Sequence, residues 1–280
     1  MAPRRTTLSP LLDQYDAVLL DAYGVLVDAR GALPATAALF AELARRGKPY
    51  QIVTNDASRS QATYSRRFAG YGIEVPAERI TTSGSLLPGY LRAHGLSGAR
   101  TCVLGTDDSI AYVVAGGGSI VPLAPGMEID ALAVCDDAGT PFLNGIELAL
   151  SAVVRAVDAG RTPALIAPNP DLVYPKGGGE LGVTAGAMAL VIEAALARRF
   201  PGHELSFARL GKPAPDLFVE AKRQLGLDRV VMIGDQLETD IAGAIAAGVD
   251  SALLESGISR WVPTATIEPT YVLETMAVTA

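Results

Sequence analysis

Five polar residues stand where apolar runs end or just beyond them. Asp21 closes "VLLD", Thr54 closes "QIVT", Lys212 lies in "LGKPAPDLF", and Asp235 closes "VVMIGD" with Asp240 five residues on. Together these residue types suit phosphoryl transfer. A carboxylate at a strand end can attack phosphorus, and a second carboxylate helps to hold Mg2+. The metal, a lysine and a hydroxyl then share the negative charge of the transferring group. Several acids in one pocket are costly without a cation, so a metal accounts for their grouping. Taken singly, each residue has an ordinary structural reading. Asp21 can cap a turn, Thr54, Asn55, Asp56 and Ser58 are common loop and helix-cap types, and Thr239 with Asp240 suits a helix start. Their convergence on one sheet edge is what argues for a site.

The elements that must position these residues alternate along the chain. Short apolar runs at 17–20, 50–54, 79–82, 101–105, 131–135, 163–167, 229–235 and 251–255 read as strands. Helical patterns fall between them, at 34–47, 60–70, 144–159, 182–200, 215–225 and 239–247. Continuous apolar strands separated by helices describe a parallel sheet buried on both faces. The expected fold is therefore α/β, with a Rossmann-like parallel-sheet core. The core is built from both chain ends, 1–92 and 207–280, and 93–206 forms an inserted second α/β domain. In such a sheet ligands bind outside the carboxyl ends of the strands, where the five residues gather. The glycine triplets at 116–118 and 177–179 read as loops.

Composition narrows the classes of function. The chain has 280 residues, 49% apolar and 19% charged, with a net charge of −7. That balance buries an ample core and offers no basic surface to nucleic acid or an anionic membrane. Cys102 and Cys135 stand alone in apolar surroundings and read as buried thiols of a reducing cytosol. His94 and His203 have no neighbours that would make them metal ligands or a triad base. No apolar stretch has membrane-spanning length and no signal peptide is evident, so a cytoplasmic location is expected.

In this order, "DAYGVLVD", "VTNDASRS", "GKPAPDLF" and "GDQLETDI" resemble the haloacid dehalogenase superfamily. The resemblance spans both halves of the core. The placement of the insertion, with "NPDLVYP" (169–175) inside it, resembles the class IIA branch, whose large α/β cap covers phosphatases of small phosphate esters. The resemblance implies Asp21 as the nucleophile that forms an aspartyl-phosphate and also ligates Mg2+. It implies Thr54 and Lys212 as ligands of the phosphoryl oxygens, with Asn55 and Asp56 beside them. Asp235 and Asp240 would serve the metal, joined by the backbone carbonyl of Tyr23, while Asn169 and Asp171 of the cap would contribute to the substrate site. A small phosphorylated substrate and a homodimer are the implied partners.

Tyr23 departs from this pattern. The phosphatases of the superfamily carry a second aspartate there, which protonates the leaving group and then activates water. A phenol with a pKa near ~10 is a poor base at neutral pH. Three readings follow: a Mg2+-dependent phosphatase that tolerates Tyr23, with Asp56 as a substitute acid; a carbon-attacking hydrolase of the dehalogenase type; and a catalytically weak protein that binds phosphorylated metabolites. The roughly 30 residues between Asp21 and Thr54 leave room for one crossover and none for the helical cap of a dehalogenase.

Overall fold

The computed structural model describes residues 2–277. The chain opens with β1 (Arg4–Thr6), α1 (Leu8–Gln14) and β2 (Ala17–Leu20). The hairpin of β3 (Val27–Asp28) and β4 (Gly31–Ala32) follows, then α2 (Thr36–Arg45), β5 (Tyr50–Thr54), α3 (Gln61–Gly70) and β6 (Ile80–Thr82). Next come α4 (Leu87–Ala93), β7 (Arg100–Leu104), α5 (Asp107–Ala115), β8 (Ser119–Ile120) and β9 (Ala131–Val134). The middle continues through α6 (Phe142–Asp158), β10 (Ala164–Ala167), β11 (Val173–Gly177), β12 (Glu180–Val183) and α7 (Ala185–Arg199). The chain closes with β13 (Ala208–Arg209), α8 (Asp216–Leu225), β14 (Val230–Gly234), α9 (Ala242–Ala246), β15 (Asp250–Leu254) and β16 (Tyr271–Leu273).

Among the described residues, one parallel sheet runs β1-β16-β15-β14-β2-β5-β6. Period-two alternation splits its side chains between two apolar layers. Val18, Leu20, Ile52, Val231 and Ile233 pack beneath α1, α2 and α3. Ala17, Leu19, Val53 and Met232 pack against Leu217, Phe218 and Ala221 of α8 on the other face. From β2 the chain moves outward to β5 and β6. From β14 it moves the opposite way, to β15 and β16. The order therefore reverses between β2 and β14, and the carboxyl ends of those two strands open a crevice at the switch point.

A second parallel sheet, β13-β10-β9-β7-β8, carries its own core. Leu104, Leu132, Val134 and Ala167 face α6 and α7, while Val103, Ala133, Cys135 and Ile166 face α4 and α5. Two boundaries differ from the expected 93–206. Helix α4 packs on the second sheet, through Leu87 and Leu91, and β13 extends that sheet to Arg209. Both cysteines are free and buried. No helix of the described residues is long and apolar enough to cross a membrane.

The helix expected over 182–200 starts later, at Ala185. Gly182 and Val183 instead end a hairpin in which Tyr174 pairs with Gly182. A Cβ on Gly182 would lie 2.4 Å from the Tyr174 ring, so the tyrosine covers the bare backbone of its cross-strand partner. Gly178 and Gly179 turn the hairpin with φ of 68° and 85°, as a two-residue turn with both centres left-handed requires. The helix expected over 239–247 is also divided. A π-helical turn spans Leu237–Ile241 and α9 follows it.

Candidate active site

Asp21 follows β2 directly, and its N–H donates to Ile233 O of β14, 3.0 Å away. Gly24, three residues on, has a φ of 86°, and a Cβ there would stand 2.1 Å from Asp235 Oδ2. The loop after Asp21 thus lies directly over Asp235, an approach that only glycine allows.

Lys212 is buried beneath this loop. Its Nζ donates to Asp21 Oδ1 at 2.6 Å, to Asp240 Oδ1 at 2.6 Å and to Val53 O at 3.1 Å, which uses all three ammonium protons. Asn55 fixes the lysine from the side. Its Oδ1 accepts the Lys212 N–H at 2.7 Å, and its Nδ2 donates to Lys212 O at 3.0 Å and to Asp171 Oδ1 at 2.8 Å. Asp240, within the π-helical turn, turns its Oδ2 back to accept the N–H groups of Asp235 and Gln236. Both of its oxygens are thus held by protein donors.

Asp235 differs. Its Oδ2 accepts the Ile258 N–H at 3.0 Å, but its Oδ1 is buried with no partner among the described residues. Asp21, Asp235 and Asp240 each offer an oxygen within 4.8 Å of the others. Burial pushes the Asp21 carboxyl well above the usual range; Lys212 opposes the shift, and Asp240 and Asp235 add to it. Burial likewise raises Asp235 to about 7, reinforced by the charge of Asp240. Burial alone would depress the Lys212 ammonium, but Asp21, Asp240 and Asp171 hold it above its ordinary value, so it stays charged. With all three acids ionised, three carboxylates against one ammonium would leave an excess of two negative charges. An orphaned buried acceptor within such a set fits a hard divalent cation, and the all-oxygen donors suit Mg2+.

A cavity of about 290 Å³ opens above these groups. Every residue expected at the site contributes to it except the two aspartates beneath, Asp235 and Asp240. Thr54 lines the cavity with its Oγ1 accepting the Asp56 N–H at 3.3 Å, which leaves the hydroxyl proton available. The proposed substitute acid Asp56 is occupied. Its Oδ1 accepts from Ser58 N, Ser58 Oγ and Arg59 N, and its Oδ2 from Arg59 Nη1 at 2.6 Å, so it shapes the loop after β5. Asn169 is also structural in part: its Oδ1 accepts the Asp171 N–H and closes a turn. Asp171 is drawn to Asn55, and burial raises its carboxyl to about 6.

Tyr23 turns its ring toward the second domain. It meets Tyr174 edge to face with centroids 6.0 Å apart, and the Arg67 guanidinium lies 5.1 Å from its centroid. Burial raises the phenol above its ordinary value against the opposing charge of Arg67, so it remains neutral. The cavity also includes Arg59, Arg67, Asp136, Asp137 and Tyr174, which had not been singled out from the sequence. A signal for two of them was present. Asp136 and Asp137 follow the apolar run "ALAVC" as Asp21 follows "VLL", and the strand-end rule applies to the second sheet as well.

Comparison with known proteins gives the same picture. A family model described as haloacid dehalogenase-like hydrolase matches residues 18–118, and one described as HAD-hydrolase-like matches 209–278. The dihydroxyacetone phosphatase of Corynebacterium glutamicum is 26% identical, over 92% of this chain and 88% of the relative. A possible sugar phosphatase of the HAD superfamily from Cytophaga hutchinsonii superposes with a TM-score of 0.86 at 28% identity, covering 100% of both chains. A glycerol phosphate phosphatase from Mycobacterium tuberculosis, solved in complex with magnesium, gives a TM-score of 0.78 at 25% identity over 94% of this chain and 76% of that one. The first matched segment runs from β2 through α5 and the second covers the returning core half, and the chain is a hydrolase of the haloacid dehalogenase superfamily with the class IIA arrangement.

Proposed function

We propose that this chain is a Mg2+-dependent phosphatase of small phosphate monoesters that carries the phosphoryl group on Asp21. The observation behind this reading is the buried, unpartnered Oδ1 of Asp235 beside Asp21. Asp21, Asp235 and the Tyr23 carbonyl would hold the metal, and Asp240 would keep Asp235 and Lys212 in place. When bound, the metal neutralises charge on the phosphoryl oxygens and on the acids beneath them. Asp21 attacks phosphorus, and the ester oxygen departs on the opposite side. Thr54 donates its hydroxyl proton to a phosphoryl oxygen, and Lys212, fixed by Asn55, offsets charge without reorganising. Tyr23, in place of the usual acid, contributes a neutral aromatic wall against the leaving group. The phosphatases among the relatives support a small phosphorylated substrate.

Phosphate release from a panel of alkyl phosphates and para-nitrophenyl phosphate tests the reading. Turnover with Mg2+ is expected to vanish with EDTA and in Asp21→Asn. Release no higher than that of the Asp21→Asn blank across the panel would overturn it.

A further inference from the structure

We propose that Asp136, at the carboxyl end of β9, exchanges a proton first with the leaving group and then with water. The inference rests on the phosphatase reading above. Both steps need an acid–base group on the side of the phosphoryl group away from Asp21, because attack and departure are in line. The loop of Asp21 supplies none. Tyr23 stays neutral and so cannot take the proton of water, and both oxygens of Asp56 are taken.

The placement of Asp136 suits this role. It lines the same cavity as Asp21 and Lys212. Its backbone is anchored, since the N–H groups of Cys135 and Asp136 both donate to Leu104 O of the adjacent strand. Its Oδ1 accepts the Ala138 N–H at 2.8 Å, and its Oδ2 accepts no hydrogen bond among the described residues. Asp136 shares this cavity with Tyr23 and Tyr174. Tyr174, which stands against Tyr23, feels the charges of Asp137, Asp136 and Arg59. Asp171, the other cap carboxyl in the cavity, is held by Asn55 beside Lys212, on the nucleophile's side.

Electrostatics agrees with this placement. Burial raises the Asp136 carboxyl to about 6. Asp56 from the loop after β5 and Asp137 on its own loop add to the shift, while the Ala138 amide and Arg59 oppose it. Tyr174 from β11 and the Cys135 thiol nearby stay neutral, both raised by burial. A group titrating near 6 can be supplied protonated and can accept a proton once ionised.

The steps balance. Asp21 forms a bond to phosphorus as the P–O bond to the leaving group breaks, and the departing alkoxide takes the proton of Asp136. Water then attacks phosphorus on that same side, gives its proton to the Asp136 carboxylate, and the P–O bond to Asp21 breaks. Phosphate leaves with Asp21 ionised and Asp136 again protonated.

The test compares two leaving groups. An alkoxide needs the proton, whereas para-nitrophenolate departs without it. In Asp136→Asn, which keeps an acceptor for Ala138 N–H, kcat/KM for glycerol phosphate is expected to fall about 10²–10⁴-fold. For para-nitrophenyl phosphate it should fall less than about tenfold, with a burst of nitrophenol equal to the enzyme as loss of the base slows hydrolysis of the intermediate. In the unaltered enzyme, kcat/KM for glycerol phosphate should decline above about pH 6 relative to that for para-nitrophenyl phosphate, a comparison that needs no variant. Equal losses on both substrates, a change confined to KM, or the same selective loss in Asp171→Asn instead would overturn the assignment. If the unaltered enzyme hydrolyses neither ester, the phosphatase reading itself fails.

Discussion

Tyr23 of the core and Tyr174 of the inserted domain meet edge to face at 6.0 Å and 78°, and this contact closes one wall of the cavity. Tyr174 is held for that contact by its hairpin, where it covers Gly182. An edge-to-face pair contributes roughly 0.5–1.5 kcal/mol beyond burial. Tyr174→Ala is therefore expected to raise KM for an aryl phosphate several-fold while changing kcat less, in steady-state kinetics. A kcat loss larger than the KM change would show that the ring acts on chemistry and not on binding.

Asn55 is expected to be the most sensitive residue that carries no charge. Its truncation leaves the buried Lys212 N–H without its acceptor, at a cost of roughly 1–3 kcal/mol. The lysine also loses its fixed position. Asn55→Ala should lower both the melting temperature and kcat/KM, the latter by about 10²-fold. Unaltered kinetics would mean that Lys212 is held by its three Nζ contacts alone.

The metal response should depend on pH. In the metal-free protein, burial and Asp240 raise Asp235 to about 7. A carboxyl raised in the folded state favours folding fully below its unfolded value near ~4, and that contribution is lost as pH rises through about 7. Mg2+ pairs with the ionised carboxylates and removes the penalty. The rise in melting temperature produced by Mg2+ is thus expected to be several degrees larger at about pH 8 than at about pH 5.5. Equal rises at both values would exclude Asp235 from the metal site.

Gly24→Ala should separate metal binding from folding. The new Cβ meets Asp235 Oδ2 at 2.1 Å, and the backbone is held at a φ of 86°, at a cost of ~1–2 kcal/mol for an L residue. The loop must move off the carboxylate. Calorimetry is expected to show a folded protein whose melting temperature no longer responds to Mg2+; a retained response would place the metal away from Asp235.

The strands that carry Asp21, Thr54 and Asp235 were legible because each is a short, largely apolar run, interrupted only by Gln51 in β5, and too short for a helix. The onset of α7 was not. Gly182, Val183, Thr184 and Ala185 are small residues that suit a strand end and a helix start equally, and the cross-strand ring of Tyr174 decides between them. The glycines at 178 and 179 signalled a turn without its partner strands. Asn169 and Asp171 came from the resemblance carried by "NPDLVYP", while the turn between them is local and the bond of Asp171 to Asn55 joins residues far apart in sequence. Asp56 reads as available for proton transfer only if the turn is overlooked, since Ser58 and Arg59, two and three residues on, occupy both of its oxygens.

The two parallel sheets present their carboxyl ends to one cavity, the first through Asp21 and the second through Asp136 and Asp171. This arrangement separates what must stay constant from what can diverge. Apart from Asp136 and Asp171, the loops after β9 and β10 can be rewritten without disturbing the strand ends that hold the carboxylates or the Lys212 that Asn55 fixes. A lineage built on this plan can exchange one ester for another by drift in the rest of those loops, while the core acids, Lys212 and Asp136 preserve the reaction.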